Sequence, residues 1–340
     1  MARRILNGAL ILAVAMLAAA TLLFVRDYDT LPPGPAGKVL FEVPPGASVR
    51  EIAASLRSKG LLRRPWAFLA GYRLFHSGRT MKAGEYEISL PVAPRDLLAK
   101  LLEGKVFLHP ITVPEGLTVL EIDELFRTAA FPIQGSLAKA AADPAPAAAW
   151  DARAADLEGY LFPDTYRFAR NTPASAVVAA MTARFGKAFG PAEAARAAEL
   201  GMTVRQVVTL ASLIEKETAL PDERPLVSSV FHNRLRIGMK LDCDPTIIYA
   251  LKKDRLWRGR LLLDDLRLPS PYNTYLEPGL PPGPICNPGE GSLRAALYPA
   301  PGEFLYFVAD AEGRHVFSRS FREHLAAVQR YRARTGARGR

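Results

Sequence analysis

The chain has 340 residues, of which 49% are hydrophobic and 23% are charged, and this length favours two domains over one. The apolar fraction excludes a largely disordered chain, and the two cysteines exclude a disulfide-rich scaffold and a four-cysteine zinc site. A formal net charge of +10 fits an anionic partner such as nucleic acid, a phospholipid surface or a cell wall, but a compositional preference for arginine explains it equally well.

The N-terminus predicts a single-pass transmembrane helix. Residues 5–25 form an apolar run that follows the basic segment 1–4 and is long enough to cross the hydrocarbon core of a bilayer. Basic segments stay in the cytoplasm, so we expect an inner-membrane protein whose remaining chain is periplasmic and meets no nucleic acid. A cleaved signal peptide is the alternative, because three small residues at 18–20 fit a cleavage site, although the apolar run continues beyond them.

A proline- and glycine-rich linker, 26–36, precedes a small α+β module that the sequence predicts at 37–107. The module opens with an apolar strand, followed by a helix for which Ser48 and Glu51 supply a capping box. A second helix, a strand of alternating polar and apolar residues and a third helix complete it.

The remaining segment, 108–332, is predicted to be a larger, mostly helical domain, with a basic tail at 333–340. A β-hairpin over about 304–318 precedes its last helix, which Ser320 caps. Residues 269–301 carry nine of the 28 prolines, a density that excludes helix, so we expect a long ordered loop with a functional role.

Several common catalytic motifs are missing from the sequence. It contains no glycine-rich phosphate loop, no His-Glu-x-x-His and no Gly-x-Ser-x-Gly, and its five histidines lack the spacing of metal ligands. We therefore expect neither a cofactor nor a metal ion.

The most informative segment is a helix over about 203–214 that is apolar on nearly every face and runs into Glu215 and Glu217. Such a helix is buried, and burial raises the pKa of a carboxyl at its end, as a general acid requires. Residues i and i+2 lie about 200° apart on a helix, so one glutamate faces a cleft while the other pairs with a cation or solvent. The alternative is a helix end that simply runs into solvent.

Three other segments mix aromatic rings with amide, hydroxyl and carboxyl groups, a combination that suits the apolar faces and polar edges of sugar rings. Ordinary turn chemistry explains some of these residues equally well. The candidate ligand-binding side chains are Glu158, Tyr160, Asp244, Thr246, Tyr272, Asn273, Thr274 and Tyr275.

Together these segments resemble the YceG-like endolytic murein transglycosylases, the MltG family. The matching motifs occur in family order across about 37–330, and the module at 37–107 resembles the family's LysM-like subdomain. In chain order the motifs are EGYLFPDT at 158–165, ASLIEKET at 211–218, VFHNRL at 230–235, DPT at 244–246, YNTY at 272–275 and GLPPG at 279–283.

The resemblance implies a lytic transglycosylase that cuts the β-1,4 bond between N-acetylmuramic acid and N-acetylglucosamine within nascent peptidoglycan strands and leaves a 1,6-anhydro end. By this resemblance Glu215 is the catalytic general acid and then general base, while Glu217 and the aromatic and polar groups bind substrate. The sugar's own C6 hydroxyl replaces water, so a second catalytic carboxylate is unnecessary. The implied partners are peptidoglycan strands, the inner membrane and peptidoglycan synthases.

Two rival functions remain at this point. A non-catalytic glycan-binding scaffold of the cell-wall synthesis machinery would need the LysM-like module but not Glu215. A pyridoxal-phosphate lyase fits poorly, because no lysine lies in a recognisable cofactor setting and a periplasmic body has no supply of that cofactor.

Cys243 and Cys286 are predicted to form a disulfide, because a periplasmic body permits oxidation. Each lies beside a segment that the resemblance places around the substrate groove. Two buried thiols that never meet are the alternative.

Overall fold

This computed structural model describes residues 2–32, 34–310 and 312–338, which form two compact units. The first unit comprises the chain up to His109 together with Arg167–Arg170, and the second comprises Pro110–Tyr166 and the chain from Asn171 onward. Helices and short strands occur together, which confirms the mixed helix and sheet class. Of the predicted tails and linker, residues 1, 33 and 339–340 lie outside the described residues.

The first unit has the predicted order of strand, helix, helix, strand and helix after its N-terminal helix. Its elements are α1 (Ala2–Asp29), β1 (Gly37–Val43), α2 (Val49–Ser58), α3 (Pro65–Phe75), β2 (Gly84–Leu90) and α4 (Pro94–Glu103). Strands β1 and β2 pair antiparallel, with Gly37 opposite Leu90. The capping box is confirmed, since Ser48 N–H donates to Glu51 Oε2 at 2.7 Å and Glu51 N–H donates to Ser48 Oγ at 3.3 Å.

The core of the first unit lies between the two strands and helices α2–α4. Alternation along the strands turns Phe41 of β1 and both Tyr86 and Ile88 of β2 to the buried face. Leu56 of α2 and Leu97 of α4 are fully buried against them. Burial of these side chains holds the short strands together, because a two-stranded sheet is marginal alone.

Helix α1 carries a candidate membrane span, Arg3–Asp29, whose most apolar 18-residue window has a mean hydropathy of 2.6 and is not buried. Among the described residues it is the single continuous helix long and apolar enough to cross a membrane. The predicted span, 5–25, lies inside it. The predicted linker begins later than expected, since α1 stays helical to Asp29.

The second unit is mostly helical, as predicted. In this unit, Thr112 of β3 (His109–Thr112) lies beside Thr165 of β4 (Thr165–Phe168), with their Oγ1 atoms 2.9 Å apart. Its helices and later strands are α5 (Val119–Arg127), α6 (Leu137–Ala141), α7 (Ala174–Ala188), α8 (Pro191–Glu199), α9 (Val204–Glu217), α10 (Arg224–Arg236), α11 (Asp244–Lys253), α12 (Glu290–Leu297), β5 (Tyr306–Ala309), β6 (His315–Ser318) and α13 (Phe321–Arg338), with short 3₁₀ turns at Ala145–Ala147 and Leu263–Arg267.

Helix α9 is the central helix of the second unit. Its residues 207–214 are all buried, and helices α8, α10, α11 and α12 pack around it. Thr203 caps its start, because Gln206 N–H donates to Thr203 Oγ1 at 3.2 Å and Thr203 N–H donates to Gln206 Oε1 at 2.8 Å. The prediction of a helix buried on every face is confirmed.

Two expectations about the C-terminal half are wrong. The predicted loop at 269–301 contains helix α12, because the stretch between Pro288 and Pro299 has no proline and is free to form a helix. The predicted basic tail is helical as far as Arg338, since α13 continues past residue 333. The β-hairpin and its following cap are confirmed, with β5 and β6 antiparallel and Glu323 N–H donating to Ser320 Oγ at 3.3 Å.

Candidate functional site

A cavity of about 390 Å³ lies at the C-terminal end of α9. Its walls come from α9, α10, the start of α11, the loop at 271–275, the β5–β6 hairpin and α13. The polar side chains that line it are Glu217, Arg234, Asp242, Asp244, Tyr275, Tyr306, His315 and His324. Three of the ligand-binding residues predicted from sequence, Glu217, Asp244 and Tyr275, therefore line the same cavity.

Glu217 is the last residue of α9 and is half-buried in the wall of the cavity. Burial raises the pKa of its carboxyl to about 7, although a hydrogen bond with the Cys243 thiol opposes part of the rise. A carboxyl with this pKa keeps a transferable proton in many molecules at neutral pH and can also accept one back.

Glu215, two residues earlier, has a different environment. Its side chain is 6% exposed, its Oε1 accepts from Arg224 Nη2 at 3.2 Å, and its Oε2 accepts from Gly289 N–H at 2.9 Å. Arg224 also donates to Glu115 Oε2 at 3.1 Å. Both oxygens of Glu215 are thus engaged within the protein, and Glu215 is not among the described residues lining the cavity.

Asp244 and Tyr275 form a second polar pair in the cavity. The Tyr275 hydroxyl donates to Asp244 Oδ1 at 2.7 Å, and burial raises the pKa of that hydroxyl, so it keeps its proton. Asp244 is the first residue of α11 rather than its N-cap, a position that Cys243 takes. Its carboxylate is therefore available to bind a partner other than the helix.

Three predicted ligand-binding residues, Thr246, Asn273 and Thr274, are buried and use their polar groups inside the protein. Asn273 Nδ2 donates to the carbonyls of Leu266 and Leu268 at 3.0 and 2.8 Å. Thr274 Oγ1 accepts from the Cys243 N–H at 3.0 Å and lies 3.0 Å from Thr246 Oγ1. These contacts fasten the loop that carries Tyr275 to the start of α11.

The described residues that line the cavity do not include the other three predicted residues, Glu158, Tyr160 and Tyr272. Glu158 accepts from Val119 N–H and from Asn287 Nδ2, both at 3.1 Å, and burial raises its pKa to about 8. The Tyr160 hydroxyl is buried and donates to a carboxylate of the same unit, and the Tyr272 ring packs on a neighbouring tyrosine ring.

A larger groove of about 930 Å³ lies at the other end of α9. Arg205 and Gln206 from the start of α9, His232 from α10 and the proline-rich segment 279–282 line it. None of the described residues lining this groove is a carboxylate. Its described lining thus offers polar and apolar contacts but no carboxyl group for proton transfer.

Comparison with known proteins agrees with the motifs. Residues 41–330 match the sequence profile of the YceG-like family. The chain belongs to this family. The endolytic murein transglycosylase of Bacillus subtilis (strain 168) is 32% identical over 317 residues, which cover 86% of this chain and 84% of the relative.

Two further relatives of this YceG-like protein extend the comparison. The endolytic murein transglycosylase of Streptococcus pneumoniae (serotype 2, strain D39) is 29% identical over 83% of this chain, which spans 56% of that relative. The crystal structure of a YceG-like protein from Listeria monocytogenes has a TM-score of 0.55 at 30% identity, covering 86% of this chain and 99% of that one. The resemblance inferred from the motifs is confirmed.

Sequence reasoning missed Arg234 and His315 in the cavity of this YceG-like protein. Arg234 donates to the carbonyls of Leu305 and Leu241 at 2.7 and 2.8 Å, which ties α10 to the hairpin. His315 Nδ1 lies 2.6 Å from an oxygen of the buried carboxylate of Glu223, to which it donates. Arg234 lies inside the VFHNRL motif, but nothing near His315 in sequence indicates that the hairpin reaches α9.

The predicted disulfide is wrong, because Cys243 and Cys286 are both buried free thiols. The Cys243 thiol is hydrogen-bonded to Glu217, whereas Cys286 Sγ donates to the carbonyl of Ser212 at 3.5 Å. Ser212 and Glu217 are five residues apart on α9, which separates them by about 7.5 Å along the axis and about 140° around it. The two thiols are therefore directed to different sides of one helix.

Proposed function

We propose that this YceG-like protein is an endolytic murein transglycosylase that cleaves the β-1,4 bond between N-acetylmuramic acid and N-acetylglucosamine and leaves a 1,6-anhydro end. The single observation that carries the proposal is Glu217, a carboxyl with a pKa of about 7 in the wall of a 390 Å³ cavity. The Bacillus and Streptococcus relatives carry this activity in their names, in agreement with the enzyme class predicted from the motifs.

Glu217 performs both proton transfers in the proposed mechanism. Its protonated carboxyl donates to the glycosidic oxygen while the bond from that oxygen to C1 of the muramic acid breaks. The C6 hydroxyl oxygen of the same sugar then bonds to C1, and its proton passes to the Glu217 carboxylate. The acid is restored, and no water is consumed.

We assign these steps to Glu217 rather than to Glu215, the residue favoured by the sequence. Arg224 and the Gly289 N–H occupy both oxygens of Glu215, and both donors would have to leave before it could reach a substrate. Glu215 instead holds the 287–289 turn and Arg224 against the end of α9.

The other cavity groups fit a sugar ring. Asp244 and Tyr275 present a paired carboxylate and hydroxyl, and Arg234 lies with its guanidinium 5.4 Å from the centre of the Tyr306 ring. His315, fixed through Nδ1 by Glu223, directs its second ring nitrogen away from that carboxylate. A site that binds a sugar ring in one orientation requires aromatic faces together with a few convergent polar groups.

The deciding experiment digests purified glycan strands and detects anhydro ends by mass spectrometry. Glu217→Gln keeps the shape of the side chain and removes its transferable proton, so cleavage should fall by about 10²–10⁴-fold. Glu215→Gln is the matched control and should retain most activity. A dead Glu215 variant with an active Glu217 variant would restore the sequence assignment. Cleavage by both variants would refute the glutamate acid mechanism, and absence of cleavage by the native chain would favour the glycan-binding scaffold.

We further propose that α1 anchors the enzyme in the inner membrane as a single span, with its N-terminus in the cytoplasm and the chain that follows α1 outside. The support is its length, its hydropathy and the arginines at its start. This position would place the site near nascent strands and peptidoglycan synthases. An intact N-terminal peptide recovered from carbonate-washed membranes is the expected result, and a mature N-terminus near residue 21 would contradict it.

A further inference from the structure

Four aromatic side chains cluster where α1 leaves the predicted span, and we refer to them as the aromatic collar: Phe24 and Tyr28 of α1 with Trp66 and Phe75 of α3. The Phe24 ring stacks on Tyr28 at 5.0 Å, and its centre lies 6.2 Å from the ring centres of both Trp66 and Phe75. Helix α3 thus contacts a residue that lies inside the span, 5–25.

The contact between α1 and α3 is close and fixed. Tyr28 is 7% exposed, and a methyl group added at Gly71 of α3 would overlap the Tyr28 ring. Glycine is therefore required at the crossing, and Tyr28 belongs to the hydrophobic core of the first unit. Helix α3 cannot move away from the end of the span without breaking that core.

Large apolar groups around this crossing remain uncovered. Trp66 is 45% exposed, Phe75 is 61% exposed and Leu74 is 66% exposed, although they adjoin a well-packed core. A contiguous exposed apolar patch marks a site of contact with a partner or a membrane. Trp and Tyr side chains are enriched at the level of lipid headgroups, where the ring is in lipid and its polar edge is hydrated.

The charged side chains beside the aromatic collar also suit the level of the lipid headgroups. Arg64 and Arg26 neutralise the Asp27 carboxylate at 2.5 and 3.1 Å, and Arg95 pairs with Asp29 at 3.2 Å. Each of these carboxylates is thus matched by at least one arginine. Arginines at this level can also reach lipid phosphates while their stems remain in apolar surroundings.

We propose that Trp66, Leu74 and Phe75 insert into the interfacial layer of the bilayer leaflet from which α1 emerges, so that lipid covers the exposed face of α3. The inference rests on the proposed anchoring of α1. Because Phe24 lies within the span and contacts Trp66 and Phe75, α3 is held within a side chain's length of the lipid. The first unit is then docked on the membrane at two points, α1 and α3.

Fluorescence quenching by lipid tests this contact in the full chain. The protein has three tryptophans, so Trp150→Phe with Trp257→Phe leaves Trp66 as the sole emitter. Reconstituted into phosphatidylcholine vesicles with bromines near the headgroup end of the acyl chains, Trp66 fluorescence should fall by about half relative to unbrominated vesicles. Bromines near the chain ends should quench it less.

A second variant separates the inference from the anchoring on which it rests. Leu12→Trp in a chain lacking the other tryptophans reports on the middle of α1 and should be quenched most by bromines near the chain ends. Quenching of position 12 with none at Trp66 would overturn the docking of α3 and leave the anchor in place. Absence of quenching at both positions would overturn the anchoring as well.

Discussion

Glu215 and Glu217 share one helical turn but have opposite surroundings. The angle of about 200° between them turns Glu215 toward Arg224 and the 287–289 turn, and turns Glu217 toward the cavity. The first carboxylate accepts hydrogen bonds from two donors, while desolvation by burial favours the neutral form of the second. The two residues are chemically identical, so their roles are distinguished only by the groups around them: Arg224 and the Gly289 N–H engage Glu215, whereas Glu217 faces the cavity.

The assignment of Glu217 as the proton donor predicts the pH profile of cleavage. Above its pKa of about 7, the carboxylate form predominates and no proton is available for the leaving oxygen. We expect kcat/KM for release of anhydro ends to fall about tenfold per pH unit on the alkaline side. A profile that stays flat from neutral to strongly alkaline pH would contradict this role.

The free thiols predict a simple labelling result. Protein that is purified and denatured without reductant and then treated with a maleimide should carry an adduct on both Cys243 and Cys286. Each thiol is buried, so labelling of the folded protein should be slow, because burial also raises both pKa values and suppresses the thiolate. Recovery of a cystine-linked peptide would show that the bond forms after all.

At the scale of elements, Gly159 joins the EGYLFPDT motif to the proline-rich segment. Its φ is +89°, and an added Cβ would lie 2.5 Å from Pro284 Cγ and 2.9 Å from Val208 of α9. Gly159→Ala should therefore lower the free energy of unfolding by about 2–4 kcal/mol, from backbone strain together with overpacking.

Gly238→Ala supplies the matched control for that substitution. Gly238 has a φ of +68° but no heavy atom within 4 Å of an added Cβ, so only the backbone cost of about 1 kcal/mol applies. Urea denaturation of the two variants isolates the packing contribution of Gly159. Equal losses of stability would refute the proposed overlap with Pro284.

Elements with a local signal were predictable from the sequence. The cap at Ser48 and the β5–β6 hairpin depend on neighbouring residues, as does the all-round apolar pattern of α9, and all three form as expected. Helix α12 was missed because proline density was averaged over 269–301, whereas helix formation depends on where each proline lies.

At the scale of the molecule, the cavity depends on contacts that no local pattern encodes. Glu217, Asp244 and Tyr275 were predicted and do meet, because each belongs to a motif near α9. His315 enters through the docking of the hairpin, which a buried carboxylate on another element fixes at long range. Conversely, Asn273 and Thr274 have the chemistry of sugar ligands but are used to hold their own loop.

Two carboxyls with raised pKa values predict how stability depends on pH. The pKa of Glu158 is about 8 and that of Glu217 about 7, both above the ordinary value of 4.5. Well below pH 4.5 both carboxyls are protonated in the folded and in the unfolded chain, so their contribution to stability is fully present. As pH rises toward 8 the unfolded chain releases these protons first, so stability is progressively lost.

Thermal unfolding between acidic and alkaline pH measures this loss. Glu158 alone should contribute on the order of 5 kcal/mol to the free energy of unfolding, and this contribution is lost as pH rises through its folded pKa. Glu158→Gln keeps the neutral shape and should flatten the decline in Tm across this range. An unchanged slope in that variant would show that Glu158 is already ionised in the folded protein.

Helix α9 ends at Glu217, and this termination has an electrostatic consequence. The last carbonyl groups of a helix carry the negative end of its macrodipole, equivalent to roughly half an elementary charge. In α9 that end meets the cavity, where the sugar ring would acquire positive charge at C1 as the glycosidic bond breaks. The oriented backbone of a buried helix would therefore stabilise that cation by about 0.3–2 kcal/mol, without a second carboxylate and without any rearrangement during the reaction.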